Sequence, residues 1–74
     1  SLFRTQQHLG KIEEFLIEGE SKKSELHWKA RNTQNMVIVF PKEHYKIGDF
    51  VNVKVEDCTS ATLIGTAIDY SDNN

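Results

Sequence analysis

Leu26-His27-Trp28-Lys29-Ala30-Arg31 alternates without a break: Leu26, Trp28 and Ala30 fall on one side of an extended chain, and His27, Lys29 and Arg31 on the other. A period of two, with apolar or small residues on one face and cations on the other, marks a half-buried strand. The same period returns at residues 50–56, where Val51, Val53 and Val55 point inward while Asn52, Lys54 and Glu56 point out. Upstream, residues 11–18 are rich in β-formers with Phe15 and Ile17 on one side, and Gly19-Glu20-Ser21-Lys22-Lys23-Ser24 reads as a polar turn.

The remaining segments follow from these. Asn32-Thr33-Gln34-Asn35 is a turn, and residues 36–40 form a short apolar strand that stops at Pro41, which has no amide to give a ladder. Residues 42–46 are a polar loop, Ile47-Gly48-Asp49 and Asp57-Cys58-Thr59-Ser60 are turns, and residues 62–70 make a last strand. Gly65 inside that strand predicts a bulge or a sharp bend. Five short strands with turns between them indicate a small all-β domain. An open sheet of five would leave two hydrogen-bonding edges and one apolar face bare, whereas closure removes both, so the expected fold is a five-stranded antiparallel OB-like barrel. Residues 1–9 tolerate helix and read as a linker or the end of a preceding domain, residues 10–70 as the barrel, and residues 71–74 as a tail.

The chain has 74 residues, 38% hydrophobic and 27% charged, with nine Lys and Arg against eleven Asp and Glu. A chain of this size hides only about 60% of its unfolded surface, which leaves room for one core and little for an enclosed active site. No apolar run approaches the roughly 20 residues of a membrane helix. The expectation is therefore a soluble, cytoplasmic monomer without a membrane contact, and Ser1 in place of Met suggests a piece of a longer protein.

Catalytic parts are missing from the sequence. Cys58 is the only cysteine and reads as a small filler or an inert loop thiol; alone it can build neither a disulfide nor a four-thiolate site. His8, His27 and His44 show no metal-pair spacing, Glu13 and Glu14 lie on opposite strand faces, and the four glycines are isolated. No catalytic residue and no metal site are expected.

Binding has more support, because the net charge of −2 hides a segregated pattern. Residues 22–54 hold seven basic side chains (Lys22, Lys23, Lys29, Arg31, Lys42, Lys46, Lys54) against three acidic ones, while both flanks are acidic. Charge laid out in this way can give a weakly acidic protein one basic face. His27, Lys29 and Arg31 stand about 6.5–7 Å apart along one strand face, a spacing suited to successive phosphates of a single strand. Lys22 and Lys23 in the neighbouring turn, Lys46 in the polar loop and Lys54 on another strand can extend that surface into a groove. Tyr45 and Phe50 are candidate stacking platforms, and His44 and Asn35 can read a base edge or a 2′-hydroxyl, which separates RNA from DNA. Trp28 shares the face of Ala30 and is assigned to the core.

Taken as an ordered set, several stretches resemble one family. They are Gly10-Lys11, Phe15-Leu16-Ile17-Glu18-Gly19-Glu20-Ser21-Lys22-Lys23, Arg31-Asn32-Thr33-Gln34-Asn35-Met36-Val37-Ile38-Val39-Phe40, Ile47-Gly48-Asp49-Phe50-Val51-Asn52-Val53-Lys54-Val55 and Ser60-Ala61-Thr62-Leu63-Ile64-Gly65. Together they resemble the TRAM domain at the C-terminus of MiaB-type tRNA methylthiotransferases of the radical SAM family. The resemblance implies an RNA-binding barrel that positions the anticodon arm of tRNA while the radical SAM and N-terminal domains of the same chain perform the 2-methylthiolation of isopentenyladenosine. It implies for the whole enzyme two 4Fe-4S clusters and S-adenosylmethionine, and for this piece no cofactor. Two alternatives are the barrel of a ribosomal-protein methylthiotransferase and a purely structural accessory barrel. Ala30, Met36 and Ile64 depart from the family pattern, each removing charge or flexibility.

Overall fold

A closed ring with an odd number of strands cannot alternate direction at every seam, and the computed structural model, which describes residues 6–22, 24–59 and 61–68, resolves that parity at one place. Its strands are β1 (Ile12–Ser21), β2 (Ser24–Arg31), β3 (Val37–Pro41), β4 (Phe50–Cys58) and β5 (Thr62–Ile68). They close in the order β1-β2-β3-β5-β4. Four seams are antiparallel, and the fifth, β3 on β5, is parallel, with Val37 opposite Thr62 and Val39 opposite Ile64. The barrel is the expected all-β one; its antiparallel description holds for every seam but this.

Alternation fills the interior. Phe15 and Ile17 of β1, Ala30 of β2, Ile38 and Phe40 of β3, Val51, Val53 and Val55 of β4 and Leu63 of β5 form one buried cluster. Trp28, Met36, Tyr45, Cys58 and Ala67 pack against its margins, so Cys58 is a half-buried filler at the end of β4. Leu26 corrects the inward reading of its face: it is 76% exposed. The reason is position along the barrel, because β2 first meets β3 at His27 opposite Pro41, which leaves Leu26 beyond the rim. β1 also runs further than expected, to Ser21, with register shifts between Ile17 and Gly19 and between Glu20 and Ser21. The expected bulge near Gly65 lies on its partner: β4 slips register between Val55, which faces Gly65, and Asp57.

Residues 8–11, read as linker and barrel edge, are bonded to the barrel. The Gly10 amide donates to the Val55 carbonyl at 2.8 Å, the Val55 amide donates to the Lys11 carbonyl at 2.9 Å, and His8 Nδ1 lies 2.5 Å from a Glu13 carboxylate oxygen. Lys23, Ser60, the last two residues of the expected fifth strand and the tail 71–74 lie outside the described residues.

Candidate nucleic-acid interface

Because Ala30 points into the core, its neighbours Lys29 and Arg31 point out of β2, and His27 follows two residues earlier. The three are not equivalent. His27 Nδ1 sits 2.9 Å from the Ser24 hydroxyl, and Arg31 Nε donates to a Glu18 carboxylate at 3.3 Å. Lys29 lies between Gly19 of β1 and Val39 of β3 and has no hydrogen-bond or ion-pair partner among the described residues. A glycine beside it leaves that flank of the lysine open.

The connection between β3 and β4 lies at the same end of the barrel as the turn between β1 and β2. The Lys42 amide donates to the Leu26 carbonyl at 3.0 Å, and Trp28 Nε1 donates to the Tyr45 carbonyl at 3.1 Å, so this loop is stitched to β2. Lys42 pairs with Glu20, and its ammonium stands 4.5 Å over the Trp28 ring. Tyr45 packs edge-on against Phe40 at 6.5 Å, and the exposed His44 ring lies 4.2 Å from that of Tyr45 at a tilt of 32°. Tyr45 is thus half core and half surface, presented beside His44. Lys46 is exposed, with its amide held by Asp49 at 2.9 Å, and Lys22 is exposed in the turn. Lys23 lies outside the described residues. Lys42 is not among the candidate residues that the sequence alone offers; its signal is the β2–β3 hairpin, whose length returns the residue after Pro41 to Leu26.

Lys54 stands apart from this group. It faces outward on β4 between Ile12 of β1 and Thr66 of β5, and β1 separates it from β2. The outer side chains of β1 along that divide include Glu14, Leu16 and Glu18, so the basic residues do not join into one groove. The register does bring two candidates into one row: Arg31 is opposite Leu16, and Leu16 is opposite Phe50. Asn35 is at the other end of the barrel, in the loop between β2 and β3, with φ of 64°.

Asn32 organises that loop. Its Oδ1 accepts the Gln34 and Met36 amides, both at 2.9 Å, while its Nδ2 donates to Glu13 at 3.0 Å. Asn32→Ala is expected to lower stability by about 1–3 kcal/mol, the range for stranding such groups, seen as a lower urea midpoint with faster exchange of the Met36 amide. An unchanged midpoint would mean that water replaces all three bonds without loss.

The iron–sulfur clusters implied for the whole enzyme do not fit here. An iron–sulfur cluster needs several thiolates and the sequence has Cys58 alone, and among the described residues no three His, Cys, Asp or Glu side chains are grouped to hold a metal.

Residues 6–68 match the TRAM domain family. The chain is 64% identical over 66 residues to the tRNA-2-methylthio-N(6)-dimethylallyladenosine synthase of Christiangramia forsetii, a match covering 89% of this chain and 14% of that protein. It is 53% identical over 72 residues to the synthase of the same name in Flavobacterium psychrophilum, covering 97% of this chain and 15% of the relative. For the synthase of that name in Chloroherpeton thalassium the identity is 57% over 60 residues, covering 81% and 13%. The chain therefore spans about a seventh of the length of these relatives.

Proposed function

The chain belongs to the TRAM domain family, and on that footing we propose that it is the RNA-binding accessory barrel of a tRNA methylthiotransferase, positioning the anticodon arm of tRNA for 2-methylthiolation of isopentenyladenosine. One observation carries the reading: nearly the whole chain matches relatives named for that reaction, and it matches only a small part of each. Chemistry then belongs to the radical SAM and N-terminal domains of the longer chain, with their 4Fe-4S clusters and S-adenosylmethionine, working on tRNA in the cytoplasm. The barrel's share is positioning. Lys22, Lys29 and Lys46 offer phosphate contacts, which fix register and orientation without reading sequence, and His44 beside Tyr45 offers a ring surface for a base.

The test is the salt dependence of binding to an anticodon stem–loop. Each lost phosphate contact lowers the slope of log K against log salt by roughly 0.7–0.9, so Lys22→Ala, Lys29→Ala and Lys46→Ala combined should lower it by about 2–3. A slope equal to that of the parent chain would remove RNA binding by this face.

A further inference from the structure

Phe50 opens β4 at the position before the buried Val51, so the strand's alternation drives its ring outward, where it is 68% exposed. Across β1 the register sets Leu16 beside it, and across β2 it sets Arg31 beside Leu16. Neighbouring strands lie about 4.8 Å apart, so the guanidinium-bearing residue and the exposed ring are separated by about 10 Å of backbone, with an apolar side chain between them. A shallow cleft of about 200 Å³ follows this row, walled on its polar side by Glu14, Glu18 and Asn32.

The partners of those walls decide what the cleft can take. Asn32 is engaged at both ends of its amide, and Glu18 is held by Arg31 Nε. Three side chains lining it keep groups available among the described residues: the exposed carboxylate of Glu14, which only accepts hydrogen bonds, the terminal nitrogens of Arg31, which only donate, and the exposed hydroxyl of Thr33, which does either. A ligand that satisfies the row therefore has an anionic end for Arg31, a flat apolar body for Leu16 and Phe50, and a donor edge for Glu14. A nucleotide has these three parts, and Glu14, two residues from Leu16 on β1 and opposite Asn52 of β4, lies to the side of the row where the edge of a base on Phe50 would face it.

Resting on the RNA-binding reading above, we infer that the row Arg31, Leu16 and Phe50 is a single-nucleotide subsite. An unstacked base lies on Phe50 with its amino edge on Glu14 and its phosphate on Arg31. The carboxylate makes the subsite selective. Guanine presents N1–H and N2–H side by side to the two oxygens of Glu14, and adenine and cytosine each present one amino group. Uracil presents a single N3–H between two carbonyl oxygens, which the carboxylate repels. A basic peptide is the competing occupant, because the two carboxylates of the cleft outnumber Arg31, but its cations would leave the terminal donors of Arg31 without an acceptor.

The test compares the pentanucleotides UUGUU, UUAUU, UUCUU and UUUUU against the 74-residue chain by fluorescence anisotropy at fixed salt. UUGUU is expected to bind about tenfold tighter than UUUUU, with the other two between. Phe50→Ala should weaken UUGUU by about tenfold, the order of a lost stacking contact. Glu14→Ala should bring the UUGUU to UUUUU ratio close to one without weakening UUUUU. Both side chains are exposed, so thermal melts of the variants should match that of the parent chain. Equal binding of the four RNAs, or a Phe50→Ala chain that binds UUGUU as the parent does, overturns the subsite while the stem–loop measurement still judges the wider reading. If the chain binds an oligo-arginine peptide through Phe50 and Glu14 and none of the pentanucleotides, the occupant is protein and the subsite is overturned. Failure to bind either the pentanucleotides or the stem–loop removes the subsite and the wider reading together.

Discussion

Gly65→Ala is expected to lower the thermal midpoint of the barrel by roughly 12–24 °C, the shift that corresponds to about 3 kcal/mol in a domain of this size. The cause is contact with backbone. A Cβ at this position would stand 2.2 Å from the Lys54 carbonyl oxygen, 2.9 Å from Val53 Cγ1 and 3.1 Å from Ile38 Cδ1. Side-chain ends can turn away, but the Lys54 carbonyl belongs to the ladder between β4 and β5 and cannot move without opening that seam. Even the smallest side chain therefore overpacks, and Gly65→Val should leave no cooperative transition at all. Circular dichroism melts of both variants check this. A Gly65→Ala midpoint within a few degrees of the parent would mean that β4 can shift at its bulge and absorb the methyl group. Gly10, where the same added atom meets nothing within 4 Å, supplies a contrast; its φ of +79° makes the cost there one of backbone strain alone.

Gly65 also illustrates what could be seen in the chain before its fold. A glycine inside a strand signals close approach, and the alternation of residues 50–56 and 26–31 signals which faces are inside. The number of strands even contained the parallel seam, since five strands in a closed ring require one, though the pairing of β3 with β5 does not follow from parity alone. Leu26 shows where alternation stops being informative. Its period is right, but whether an inward side chain is covered depends on how far the partner strand extends, and β3 ends at Pro41.

The candidate site divides along the same line. The outward direction of Lys29, Arg31, Phe50 and Lys54 is a local property, and each could be assigned from its own strand. Which of them meet is a property of ring order and register. With β1 placed between β2 and β4, the glutamates of β1 interrupt the basic surface that charge counting suggested, and Arg31 becomes tied to Glu18. That same placement brings Arg31 and Phe50 into one row, a proximity between residues 19 apart in sequence that no strand-by-strand pattern contains. Lys42 is a similar case, since its position over Trp28 depends on the turn of the loop after Pro41.

Two phenylalanines of this chain should respond to the same substitution in opposite ways. Phe40 is fully buried and also braces Tyr45 edge-on, so Phe40→Ala removes core contacts, leaves a cavity and loosens the loop that carries His44. The expected cost is roughly 3–5 kcal/mol, set against a total stability on the order of 4–11 kcal/mol for 74 residues. Urea denaturation should therefore show a midpoint lowered by roughly 1–5 M, or no folded baseline where that exceeds the parent's midpoint, with any loss of RNA binding following the loss of fold. Phe50 stands outside the core, and Phe50→Ala should change stability by less than about 0.5 kcal/mol, as surface substitutions usually do. If Phe40→Ala kept most of the parent's stability, the barrel would have to collapse around the cavity, which the fixed β2–β3 and β3–β5 seams oppose. If Phe50→Ala instead unfolded the chain, its ring would be a packing residue and its loss of RNA binding would say nothing about stacking. Measured side by side, the two variants separate a residue that holds the barrel closed from one whose proposed contact with RNA can be tested in a folded chain.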